Sequence, residues 1–365
     1  MGFKFANRLA VGMLFSSVLF FGNTAGCGMS LSGGSVSGAG TAAQSQSEST
    51  AKSSPIPAPV PSVQPTVKPS VTPSPIPVPT AAGAGVTTLR PLGSTTAPYG
   101  YAEYLPFGYT AAGKYPLIIM LHGAGEVGNG TTDLPKVRFN GINNQIDNHG
   151  LKLPAIVVSP QTNQGSWGED GGNSTRLDQF LDYLLATYAV DAKRVYMTGL
   201  SLGGGGTWAY AARHANRLAA IVPICGYNDE GAGEPGYAAY MVAQNLPVWA
   251  AHAVDDSVVV IQYSLRWLGN LAQQYGINNL TFASLPLGSP DGFSVNAGTG
   301  TTTFVMDPNN KNWIKVAGQT YHYPGSTAPF GPKQFLTVYP NGNHFIWENM
   351  YGDPQMYDWL FLQSR

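Results

Sequence analysis

The stretch that decides the fold is "KRVYMTGLSLGGGGTWAYAARH", residues 193–214. Its first part, "RVYMT", is apolar and β-branched enough to be a buried strand, and "GTWAYAARHANRLAA" (206–220), from the last glycine onward, reads as a helix. Between them Gly199-Leu200-Ser201-Leu202-Gly203 fits G-x-S-x-G. A strand that turns sharply into a helix lifts a serine hydroxyl above the sheet. Glycines must flank it, because a Cβ there would collide with the adjoining strand and helix. The helix, expected from about Gly206, would bring its positive N-terminal end beneath Ser201.

Outward from that turn, apolar strands and amphipathic helices alternate. "YPLIIMLHG" (115–123), "LPAIVVSPQ" (153–161), "AIVPICG" (220–226), "LPVWAAHA" (246–253) and "FLTVYPNG" (335–342) read as strands. "STRLDQFLDYLLATY" (174–188) reads as a helix capped by Ser174 or Thr175, with Leu177, Phe180, Leu181, Leu184 and Leu185 on one face. This alternation predicts an α/β domain with a mostly parallel sheet covered on both faces. Residues from about 285 to 332 break the rhythm, and "TTTFVMD", "PNNKN" and "WIKVAG" within them read as a small β-hairpin.

The N-terminal quarter has another character. Lys4 and Arg8 precede the apolar run Leu9–Gly22, too short to span a bilayer comfortably. "NTAGCG" comes next, and the small residues before Cys27 resemble a bacterial lipoprotein cleavage site, although Thr24 stands where leucine is preferred. Residues 1–27 are therefore expected to be an export signal, lipidated at Cys27 or cleaved plainly. The mature chain would be a cell-surface or periplasmic lipoprotein, or secreted. Residues 28–85, Ser/Gly-rich and then Pro-rich, read as a flexible coil and then an extended spacer. The folded domain is expected over 86–365. Cys225, the only other cysteine, lies among apolar residues as a buried small hydrophobe would.

The 365 residues carry a net charge of −1 with no long basic or acidic run, which removes the electrostatic case for nucleic acid or an anionic membrane surface. Membrane contact is expected only through the N-terminal anchor. No metal or organic cofactor is expected, since histidines and cysteines show no zinc spacing and no Lys-Ser/Thr comes after the glycines. Gly123, Gly125 and Gly128 match G-x-G-x-x-G. The next residues, "NGTTDLPKVRFNG", form a polar loop with a proline, not the helix that a dinucleotide site requires.

Serine chemistry needs a base and an acid. In this topology the base lies after the last strand, which selects His344 over His322. Asp255 and Asp256 come directly after "LPVWAAHA", and either could orient an imidazole. The amide of Leu202 is the expected first donor to an oxyanion. The turn "LHGAGEVG" (121–128) would supply the second, from Ala124 with Gly123 close behind. Trp167 and Trp347 are candidate substrate-contacting walls, Trp208 a core residue, and Glu126 a hydrogen-bonding residue of that turn.

These stretches together resemble the exported α/β-hydrolase esterases related to the polyhydroxybutyrate depolymerase, feruloyl esterase and dienelactone hydrolase families, including bacterial phospholipase/carboxylesterase-like proteins labelled predicted peptidases. The matching segments run from 115 to 347. The resemblance implies an α/β-hydrolase fold, Ser201 as nucleophile, His344 as base and an ester as substrate. The family turn "HGxxDxxVP" reads "HAVDDSVVV" here, which implies Asp256 rather than Asp255. Ala253 and Val260 depart from that pattern, and the 285–332 insertion has no counterpart in shorter members. Amide hydrolysis or acyl transfer by the same residues, and a non-catalytic binding domain on this scaffold, are the rival readings.

Overall fold

The computed structural model describes residues 85–167, 176–227, 235–277, 300–307, 312–316 and 334–365. The expected signal segment, the linker up to residue 84, His322 and most of the insertion lie outside the described residues. One ten-stranded sheet organises the rest, in the order β1-β2-β4-β3-β5-β6-β7-β10-β8-β9. β1 (Thr87–Arg90) and β2 (Gly100–Tyr104) form an antiparallel margin. β4 (Ile156–Gln161), β3 (Tyr115–Leu121), β5 (Val190–Leu200), β6 (Ala220–Ile224), β7 (Val248–Ala253) and β10 (Gln334–Tyr339) run parallel. The fold is that of an α/β hydrolase.

Strand β3 shows why both faces are covered. Leu117, Ile119 and Leu121 join one buried cluster with residues of α2 (Arg176–Thr187), α3 (Leu202–His214), α4 (Pro235–Ala243) and α5 (Gln262–Gln274). Ile118 and Met120 join a second with α1 (Gly141–His149), α6 (Trp347–Tyr351) and α7 (Pro354–Leu362). Alternate side chains of a strand point to opposite faces, so a fully apolar strand needs helices on both. Trp208 and Cys225 are fully buried in these clusters, and Leu185 only half-buried.

The insertion contains the expected hairpin, β8 (Thr302–Asp307) with β9 (Asn312–Val316). It does more than decorate the surface: β8 pairs antiparallel with β10 and widens the sheet by two strands.

Helix α3 differs from the sequence expectation. It begins at Leu202, four residues early, so all four glycines are helical, and it ends at His214, six residues short of the expected Ala220, with a 3-10 turn over Ala215–Arg217 after it. Glycine disfavours helix, but packing outweighs that preference here. A Cβ on Gly203 would lie 2.0 Å from the Leu121 carbonyl oxygen, and one on Gly204 2.4 Å from that of Ile224. The helix is wedged between β3 and β6 too tightly for any side chain.

Candidate active site

Parallel strands bring their C-terminal ends to one edge of the sheet. The turns after β3, β5, β7 and β10 therefore meet, although they span residues 122 to 344. Ser201 sits at the β5–α3 turn with φ 52° and ψ −115°. A non-glycine residue there carries strain of order 1–3 kcal/mol. Its surroundings enforce the shape. The Ser201 amide donates to the Ile224 carbonyl (2.9 Å), and the Ser201 carbonyl accepts from the Gly205 amide (3.0 Å).

His344 Nε2 lies 2.8 Å from Ser201 Oγ, and His344 Nδ1 lies 2.8 Å from Asp256 Oδ2. A carboxylate only accepts, so Nδ1 carries the proton and Nε2 is free to accept from the serine hydroxyl. Asp256 is itself held: its Oδ1 accepts from the amides of Val258 (2.9 Å) and Val259 (2.8 Å). Burial alone would raise its pKa. Hydrogen bonds from His252 and His344, with the Val259 amide, outweigh burial and hold it well below the ordinary carboxylate range.

The two neighbouring aspartates have different partners. Asp255 accepts from the amides of Asn343 (2.8 Å) and Gly342 (3.3 Å), not from the histidine ring. Asn343, at φ 51°, accepts in turn from the Ser257 amide at 3.2 Å. Asp255 thus ties the loop carrying His344 to the loop carrying Asp256.

His252 has a support role that was not expected. It is fully buried on β7, with Nε2 donating to the Val259 carbonyl (2.7 Å) and lying 3.3 Å from Asp256 Oδ2. Its Nδ1 faces Ser264 Oγ at 2.8 Å. The signal available in sequence is its i, i+4 spacing to Asp256, within the family turn.

The Leu202 amide opens α3, and the Ala124 amide opens a short 3-10 turn, Ala124–Glu126. The first amides of a helix have no carbonyl within it to reach. His122 fixes the base of that turn. Its Nδ1 donates to the Gly123 carbonyl (2.6 Å) and its Nε2 accepts from the Thr162 amide (3.1 Å). Burial pushes its pKa down to about 4, against a weaker opposing effect of the Gly123 bond, so the ring is neutral.

Both candidate tryptophan walls have engaged ring nitrogens and are 6% exposed. Trp167 Nε1 donates to the His122 carbonyl (3.0 Å), beneath the turn after β3. Trp347 Nε1 donates to Asn140 Oδ1 (3.3 Å), and its ring stands edge-on to that of His344 at 5.4 Å. The more open aromatic is Phe345, 71% exposed and packed on Trp347 at 4.9 Å.

Residues 93–264 match the family model described as "Putative esterase". Over that segment the chain is similar to the putative-esterase family. The chain is 30% identical over 123 residues to a bifunctional acetylxylan esterase/xylanase of Neocallimastix patriciarum, covering 33% of this chain and 17% of that protein. It is 26% identical over 184 residues to a "Probable feruloyl esterase C" of Aspergillus terreus, covering 48% and 62%. A solved thermostable esterase aligns at 23% identity and TM-score 0.47 over 77% of this chain and 63% of that one. The chain thus spans less than two thirds of the length of either curated relative.

Proposed function

We propose that this protein is a serine-dependent carboxylic ester hydrolase. The observation that carries the reading is the chain of two 2.8 Å contacts from Ser201 Oγ through His344 to Asp256, on a strained turn. In this mechanism Ser201 Oγ attacks the ester carbonyl carbon while His344 Nε2 takes the hydroxyl proton. Asp256 holds the ring and offsets its positive charge. The amides of Leu202 and Ala124 receive the oxyanion. Collapse expels the alcohol, which takes the proton from His344. Water then attacks the acyl-enzyme with His344 again as base, releasing the acid and restoring Ser201. The names of the two curated relatives point to acetyl or feruloyl groups on plant polysaccharide as the first esters to try.

Covalent labelling of the full-length protein by a fluorophosphonate probe tests the nucleophile. The wild type is expected to label and Ser201→Ala not to. Equal labelling of both, or of neither, overturns the reading. In the same assay Asp256→Asn should slow labelling by about 10³-fold or more, and Asp255→Asn far less.

Residues 1–27 support export, with Cys27 as the lipid-bearing residue of the mature chain. Cys27→Ala should then release the protein from the membrane fraction. Continued retention of that variant would exclude a lipid anchor there.

A further inference from the structure

The turn after β3 and the loop carrying His344 are joined by a side chain that belongs to neither. Asn140 precedes α1. Its Nδ2 donates to Glu126 Oε1, and its Oδ1 accepts from Trp347 Nε1 at 3.3 Å. Glu126 is 5% exposed and ends the 3-10 turn that Ala124 opens; its carbonyl is fixed by Gln161 Nε2 at 2.8 Å. Trp347 stands at 88° to the His344 ring. The next residue, Glu348, accepts from the Gly141 amide (2.8 Å), Asn144 Nδ2 (2.8 Å) and Gln145 Nε2 (2.7 Å), so α6 is bound to the start of α1 on a second line.

We propose that Asn140 is a positioning residue, a strut that fixes the distance between the oxyanion-binding turn and His344 by bridging Glu126 and Trp347. The proposal rests on the serine esterase reading above. An asparagine suits the place because its side chain offers a donor on one side and an acceptor on the other. A nucleophile, a base and an oxyanion site on separate loops must hold their separation closely, and a misplacement near 1 Å costs on the order of 10²-fold in rate. The strut acts on the transition state, where proton transfer and oxyanion binding coincide, and leaves ground-state binding largely alone.

Turnover of p-nitrophenyl acetate, counted per fluorophosphonate-titrated site and set beside melting temperature, tests this in the full-length protein. Asn140→Leu should lower kcat about tenfold or more with KM within twofold and an unchanged number of titratable sites. Glu126→Gln keeps an acceptor for Asn140 and is the single-variant reference for the double variant below. Asn140→Asp sets two carboxyl groups face to face and should lose as much as Asn140→Leu. Combining Asn140→Asp with Glu126→Gln lets the new amide at 126 donate to the new carboxylate at 140, and should recover most of kcat. Wild-type kcat per site in Asn140→Leu overturns the strut, as does a double variant no faster than Asn140→Asp. The double variant decides the matter alone if Asn140→Leu does not fold. Labelling of Ser201→Ala would sink the esterase reading itself, independently of these outcomes.

Discussion

The turns after β3 and β5 lie on neighbouring strands and end at the same site, yet they are held by different means. The β5 turn is held by backbone: strained Ser201, carbonyl–amide contacts to β6, and glycines that let α3 touch the main chain on two sides. The β3 turn is held by side chains: His122 and Trp167 below it, Glu126 and Asn140 beside it. The first has no room for change and places an atom. The second has room only at Gly125, since a Cβ on Gly123 or Gly128 would meet side chains at 2.7 and 2.4 Å, and it sets where two amides point through bonds that chemistry can alter one at a time.

The same substitution in the two turns gives the sharpest contrast. Gly203→Ala would put a methyl group 2.0 Å from a backbone oxygen. Neither β3 nor α3 can yield without breaking the turn, so a loss of about 4 kcal/mol or more is expected, read as failure to fold or a collapsed melting temperature. A stable Gly203→Ala protein would mean that the turn is not backbone-bound.

His122 gives the next effect, and it depends on pH. Its folded pKa is about 4 against an ordinary 6.5. Between those values the unfolded chain takes up a proton that the folded chain refuses, so stability falls as pH drops from 6.5 to 4. The contribution over that window is about 3 kcal/mol. Denaturant titrations of His122→Asn should show a shallower dependence by about one proton there; an identical slope would move the effect elsewhere. Above pH 6.5 His122 contributes no pH dependence.

The smallest effect belongs to Gly125→Ala in the β3 turn. Nothing lies within 4 Å of the added methyl position, and φ is not positive. Stability should change by no more than about 0.5 kcal/mol. A large loss would show that Gly125 is as closely packed as Gly203.

The same difference explains what can be read from the sequence. A turn built on backbone needs a fixed local spelling, and Gly199 to Gly203 provide it within five letters. The strand alternation and the β8–β9 hairpin are equally local patterns. That β8 adds to the edge of β10 is hidden, because pairing depends on where the last strand lies in the sheet. Supports made of side chains leave no such trace. Glu126 and Asn140 are 14 residues apart, and Asn140 and Trp347 are 207 apart. The choice between Asp255 and Asp256 comes from resemblance alone, since adjacent carboxylates differ in sequence by nothing that reports which side each faces. The start of α3 escapes the sequence because four glycines disfavour helix everywhere except in a slot that admits nothing larger.

That slot also bears on where the turn's stability comes from. Each glycine costs about 1 kcal/mol of helix propensity relative to alanine. Residues 203–206 together therefore leave the first turn of α3 with little helix preference of its own, so its stability comes from packing against β3 and β6. Without that packing Ser201 would have neither the raised hydroxyl nor the helix end behind it. The geometry around Ser201 is thus a property of the packed sheet and not of the local sequence.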